Sequence, residues 1–338
     1  MNDHIPGVDK FWDQKRVLVT GAGGFIGSHL VEHLVEHGAQ VRAFVRYNSR
    51  GDAGLLRMLS PEVRTKVQIV SGDLRDGPAI QDAVDGREYV FHLGALISIP
   101  YSYVHSSEVA ETNLMGTLNV LNACHRAHVT RLIHTSTSEV YGTARYTPMD
   151  EKHPLQGQSP YSASKIGADK LAESYYCAYE LPVVTIRPFN TYGPRQSARA
   201  VIPALITQAL TCDVVHVGNL ETSRDFTFVT DTVNGFLCAA QANNVEGQTI
   251  NLGTGSEIKI GHLASKILAT VGSHAKIMVD SVRLRPKDSE VYRLLSDNSL
   301  ARKTLGWQPQ TELDCGLELT IAWIQKHLDL YRVGAYEF

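Results

Sequence analysis

Thr20-Gly21-Ala22-Gly23-Gly24-Phe25-Ile26-Gly27 is the stretch from which the fold of this chain is read. Before it runs an apolar segment, Arg16-Val17-Leu18-Val19-Thr20, and after it a segment of helical spacing, residues 25–37, that stops at Gly38. An unbroken apolar run suits a strand buried on both faces, and glycine just past a helix suits its C-cap. Glycines at 21, 24 and 27 let the backbone turn sharply and approach a pyrophosphate. The helix start beyond them offers unpaired N–H groups and partial positive charge. Gly-rich turns are frequent in loops. The position of this one, strand then turn then helix at the head of the chain, makes it a dinucleotide site.

Outward from that turn the chain alternates. Residues 40–45, 66–70, 89–93, 131–136 and 182–187 read as strands, and residues 108–127 and 162–179 as helices between them. Such alternation predicts an α/β, Rossmann-like, doubly wound parallel sheet over residues 15–193. Beyond Gly193 the segments shorten, punctuated by Pro203, Pro286 and Pro309. Residues 203–210 read as a helix with its proline in the first turn, and residues 214–217, 249–252 and 276–279 as strands. A smaller, mainly substrate-binding C-terminal region is expected over residues 194–330, with 225–241 returning to the first domain.

The 338 residues are 43% hydrophobic and 20% charged, an ordinary globular balance, with net charge -3. That charge argues against general nucleic-acid binding. No apolar stretch approaches the ~20 residues of a membrane span, and residues 1–14 do not read as a secretory leader. The five cysteines are scattered without CxxC or metal-type spacing. Reduced thiols in a cytoplasmic protein, with no metal site, are the expectation.

Two motifs carry chemistry. In Tyr161-Ser162-Ala163-Ser164-Lys165 the outer residues sit four apart and share a helix face. An ammonium near a phenol favours phenolate, giving a usable base near neutral pH. Thr135-Ser136-Thr137-Ser138-Glu139-Val140-Tyr141-Gly142 ends the fifth strand and adds a carboxylate, Glu139.

The spacing of the glycines, G-x-x-G-x-x-G, resembles the extended branch of the short-chain dehydrogenase/reductase superfamily. Gly72-Asp73-Leu74 after the third strand and Leu93-Gly94-Ala95 after the fourth agree with it. The resemblance implies a nicotinamide cofactor on Gly21, Gly24, Phe25, Ile26 and Gly27, with Asp73 and Leu74 beside the adenine. Leu93, Gly94 and Ala95 would pass the cofactor, and Tyr161 and Lys165 would touch it as well as the substrate. An NAD-preferring site usually ends its second strand with an acid. Here Ala43-Phe44-Val45 is followed by Arg46, with Arg50 close by, so NADP is favoured over NAD, Arg46 pairing with the 2′-phosphate.

Thr137 matches the residue that bonds the sugar 4-hydroxyl in this family. Simple 4-epimerases tend to carry small residues at the next two positions, whereas Ser138-Glu139 resembles dehydratases. UDP-glucuronate decarboxylases also show Thr-Ser-Glu, so 4-epimerase and decarboxylase stay open as alternatives. Ile99-Pro100-Tyr101-Ser102-Tyr103, the stretch 147–158 and Ser159-Pro160-Tyr161 look similar to 4,6-dehydratases of legionaminic-acid-type pathways, which act on nucleotide-linked N-acetylglucosamine. That resemblance implies three steps. Tyr161 takes the 4-hydroxyl proton as hydride leaves carbon 4. Glu139 removes the carbon 5 proton while water leaves carbon 6, Glu139 or Ser138 assisting the leaving hydroxyl. Hydride then returns to carbon 6, giving a 4-keto-6-deoxy sugar. It also implies Asn190, Arg224 and Arg285 on the substrate diphosphate, UDP or GDP being the expected nucleotide, and a homodimer paired through helices 108–127 and 162–179.

Overall fold

The computed structural model describes residues 10–334. Most of the N-terminal segment read above for a leader, residues 1–9, lies outside the described residues.

Strands β1 (Arg16–Thr20), β2 (Gln40–Arg46), β3 (Gln68–Gly72), β4 (Tyr89–His92), β5 (Arg131–Thr135) and β6 (Val183–Pro188) lie in one sheet with Thr249–Leu252. The order is β3-β2-β1-β4-β5-β6 followed by Thr249–Leu252, and every neighbouring pair is parallel. The apolar run that opened the reading explains the centre: Val17, Leu18 and Val19 are completely buried. From β1 the chain proceeds to β2 and β3 on one side and then crosses to β4 on the other. The order therefore reverses between β1 and β4, and a crevice opens there beyond the strands' carboxyl ends.

One expectation is corrected here. Residues 249–252, placed by sequence in the smaller region, close the main sheet instead. Ile250 and Leu252 are fully buried and register against Ile186 and Pro188, so this strand covers the edge that β6 would otherwise expose. The helix expected at 108–127 is present as an unbroken run from Ser106 to Ala127, widened to a π turn at Glu111–Met115. Asn113 supplies the reason. Its buried amide accepts from Leu96 N–H (2.8 Å) and donates to Leu96 C=O (2.9 Å) and Ser164 Oγ (3.0 Å). A wide turn lets that side chain face inward.

Helix Val229–Gln241 packs on helix Phe25–Glu36, and its Val233, Phe236 and Leu237 join the core under β1, β2 and β6. A second core gathers Ile206, Val215, Leu263, Ile267, Leu317 and Ile324 from helices Val201–Thr211, Ile260–Val271 and Leu313–Lys326 and the strand pair Val214–Val217 with Lys276–Val279. Phe25 and Ile26 of the glycine turn pack against this second core, so the turn lies where the two cores meet. No described helix is long and apolar enough to cross a membrane.

Candidate active site

The glycine turn is as tight as its sequence requires. Gly21 has φ +69°, and a Cβ there would lie 2.7 Å from Gly94 N. A Cβ on Gly27 would meet Gly21 O at 2.3 Å, and one on Gly94 would meet Leu74 Cδ1 at 2.8 Å. Helix Phe25–Glu36 begins at Gly24 with no side-chain cap, so its first turn presents backbone N–H groups outward. Beside it a cavity of about 120 Å³ is lined by Gly21, Arg46, Gly72, Asp73, Gly94 and Ala95. Residues drawn from β1, β2, β3 and β4 thus form one cradle for a dinucleotide. A roomier cleft of about 530 Å³ sits by Gln40 and Gln68, where β2 and β3 begin. It holds none of the residues expected to act as acid and base.

At the cradle's rim the charges are already partnered. Arg46 Nη2 donates to Glu108 Oε1 at 3.0 Å, and the Tyr101 hydroxyl donates to Glu108 Oε2 at 2.5 Å. These bonds, the Tyr101 one first, hold the Glu108 carboxyl below its usual range. Arg75 bonds both oxygens of Asp73 and holds that carboxyl low as well. Arg46 therefore stands in the cavity wall but is not a free cation.

The residues expected to act as acid and base come from two elements. Helix Pro160–Tyr179 is started by a reciprocal Ser159–Ser162 capping box with Pro160 in its first turn. This fixes Tyr161 and Lys165 against the end of β5, both buried. Thr137 accepts from Glu139 N–H at 3.2 Å, opening the short turn Ser138–Tyr141, and its side chain bonds the Tyr161 phenol. Ser138 is buried in that turn. The expected lowering of the phenol by Lys165 is not what the protein alone produces. Burial pushes the Tyr161 phenol up, Thr137 pulling against it and the Glu139 and Asp169 charges adding to the rise, while Lys165 Nζ donates to Thr135 C=O at 2.8 Å. Burial in turn brings the Lys165 ammonium down to about 8.

The expected substrate end is a cluster of charge in which Arg224 and Glu290 are buried and Glu139 and Arg285 half-buried. Arg285 Nη1 lies 3.6 Å from Glu139 Oε2, and Arg224 Nη2 lies 3.9 Å from Glu290 Oε1. Burial lowers the Arg224 guanidinium, Glu139 and Glu290 opposing it and Arg285 adding to it. Asn190 follows β6, and its N–H donates to Asp225 C=O at 3.1 Å, beside Arg224. Asn190 Oδ1 and Arg285 Nη1 are buried and make no hydrogen bond within the protein. Orphaned buried polar atoms of this kind suit a polar ligand. The fold thus gathers Thr137, Glu139 and Tyr161 at one place and Glu139, Arg224 and Arg285 at the next.

Sequence reading missed the layer beneath. Asp169, one turn past Lys165, is buried with His134, Ser136 and Arg187, and Arg187 Nη1 donates to the Tyr141 hydroxyl at 2.9 Å. The signal was present as a further four-residue step along the same helix face, Tyr161, Lys165, Asp169.

A Gly-rich strand–turn–helix on a parallel sheet, with Tyr161 and Lys165 at the end of β5, defines a dinucleotide-dependent enzyme of the short-chain dehydrogenase/reductase class. A model of the GDP-mannose 4,6 dehydratase family matches residues 18–320, and the chain belongs to that family of nucleotide-sugar dehydratases and epimerases. It is 33% identical over 314 residues to a dTDP-glucose 4,6-dehydratase of Actinoplanes sp., covering 91% of this chain and 97% of that one. It is also 33% identical over 316 residues to a UDP-glucose 4-epimerase of Mycolicibacterium smegmatis, covering 92% and 98%. The dTDP-glucose 4,6-dehydratase of Streptomyces venezuelae, solved with NAD bound, superposes with TM-score 0.84 at 28% identity over 94% of this chain and 99% of that one.

Proposed function

We propose that this protein is a nucleotide-sugar 4,6-dehydratase, converting UDP- or GDP-N-acetylglucosamine to its 4-keto-6-deoxy derivative. The observation that carries this reading is Glu139, a carboxylate two residues past Thr137 in the turn that follows β5, 3.6 Å from Arg285 Nη1. A nicotinamide held on the glycine turn supplies the hydride acceptor and donor. Tyr161 holds and takes the 4-hydroxyl proton, with Thr137 orienting that hydroxyl. Glu139 is placed to remove the carbon 5 proton, which becomes acidic once carbon 4 is a ketone, as water leaves carbon 6. Asn190, Arg224 and Arg285 hold the diphosphate, the arginines offering planar forks to its oxygens.

For the cofactor we propose NADP over NAD, Arg46 exchanging Glu108 for the 2′-phosphate. We further propose a homodimer through helices Gly116–Ala127 and Pro160–Tyr179, working in the cytoplasm, in keeping with five unpaired cysteines. Incubation with a panel of nucleotide-sugars, read by mass spectrometry, tests the reaction. Loss of one water supports the dehydratase. An unchanged mass with an inverted sugar supports a 4-epimerase, and loss of carbon dioxide a decarboxylase.

A further inference from the structure

Asp169 is the most heavily bonded carboxylate under the site. Oδ2 accepts from Ser136 Oγ at 2.8 Å and from Arg187 Nε and Nη2 at 3.1 and 2.8 Å, while Oδ1 faces His134 Nε2 at 3.2 Å. His134 and Ser136 flank Thr135, whose carbonyl takes the Lys165 ammonium. One carboxylate therefore ties the end of β5, and through it Thr137, to the helix that carries Tyr161 and Lys165. Residues at i and i+4 share a helix face, so Asp169 and Lys165 lie on the same side of this helix, near enough for charge to act between them without a direct ion pair.

We propose that Asp169 is a positioning residue for the acid–base pair: it clamps the end of β5 to the catalytic helix and supplies the countercharge of the buried Lys165 ammonium. This rests on the reading of Tyr161 and Lys165 as that pair, whichever reaction of the family they serve.

The surrounding charges support it. The groups facing Lys165 and Asp169 are His92 from β4, His134 from β5, Arg187 from β6 and Tyr161 from the same helix. Burial holds both histidines below their usual range, so they stay neutral at neutral pH. Burial would raise Asp169, but the His134 bond and the charges of Arg187 and Lys165 outweigh it and bring the carboxyl down to about 2. Asp169 is thus ionised throughout the working range, and its charge is what opposes the loss of the Lys165 proton on burial.

The test reads Lys165 directly in the intact protein. Lysine labelled with 15N at Nζ is followed by NMR from pH 6 to 11 (an arbitrary window of about five units about the ordinary lysine range), the Lys165 signal being the one lost in Lys165→Arg. Asp169→Asn should lower its midpoint by about one unit or more, and Asp169→Glu should restore most of the loss. Where a nucleotide-sugar is turned over, the alkaline limb of kcat/KM should move the same way. Removing Asp169 alone strands Arg187, so Arg187→Gln and Asp169→Asn/Arg187→Gln are compared as well. In that pair the same fall on loss of Asp169 is expected, measured with no Arg187 guanidinium left to be stranded. A folded Asp169→Asn, or the double variant against Arg187→Gln, with an unmoved Lys165 midpoint would overturn the proposal. A moved midpoint in a protein that turns over no nucleotide-sugar would leave the positioning role standing and remove the reading of the reaction.

Discussion

Arg285 holds its guanidinium 3.6 Å from the carboxylate of Glu139, so a cation proposed for the diphosphate partners the proposed base. Arg285 Nη1 is buried without a hydrogen bond, which makes the contact electrostatic and loose. An arriving diphosphate would compete for this arginine and leave the Glu139 carboxylate free to act. Arg285→Gln should therefore raise KM for the nucleotide-sugar by about tenfold or more, one charge-assisted contact being worth roughly 1.5–3 kcal/mol. Arg285→Lys should recover only part of that, since lysine lacks the planar fork. Steady-state kinetics decide it, and an unchanged KM in Arg285→Gln would remove the residue from the substrate site.

Glu139→Gln keeps the shape of the side chain and deletes the base. Tyr161, Lys165 and Thr137 are untouched, so substrate should still generate reduced cofactor, seen by absorbance. Release of dehydrated product and exchange of the carbon 5 hydrogen with deuterated water should both drop by ~10²–10⁴-fold. Dehydration near the parent rate would place the base elsewhere.

Cofactor choice turns on Arg46 and Glu108. Arg46→Ala should weaken NADP by about tenfold more than NAD, and Glu108→Gln, which releases Arg46, should tighten NADP selectively. Isothermal titration with the two dinucleotides separates these effects. Equal weakening of both cofactors by Arg46→Ala counts against NADP.

Burying Lys165 has a stability consequence with a definite sign. Its folded pKa, about 8, lies below the ordinary 10.5, so the charged form is disfavoured in the native state. The penalty is full below about pH 8 and is relieved as pH rises from there to about 10.5. Lys165→Met should abolish turnover yet raise Tm by a few degrees at pH 7, on the order of 1–3 kcal/mol. The advantage should shrink through the pH window above 8. Scanning calorimetry at pH 7 and pH 10 (~3 units apart, spanning that window) reads it, and a pH-independent gain would contradict this account.

Much of the fold was written locally. The run Val17-Leu18-Val19, the glycines at 21, 24 and 27, and the four-residue step from Tyr161 to Lys165 are short-range patterns set by backbone sterics and helix periodicity, and they specified strand, turn and the helix that carries Tyr161 and Lys165 without reference to the rest of the chain. Tertiary structure decided what depended on partners distant in sequence. Thr249–Leu252 became the seventh strand because β6 offered it an open edge. The helix at 108–127 widened because Asn113 had to reach Leu96 and Ser164. Asp169 gained its place under Lys165 only when β5 and β6 brought His134, Ser136 and Arg187 around it, and Arg46 lost its freedom to Glu108 for the same reason. Periodicity tells which residues share a face, whereas desolvation and ion pairing depend on what that face meets, and that is settled by the packing of the whole chain.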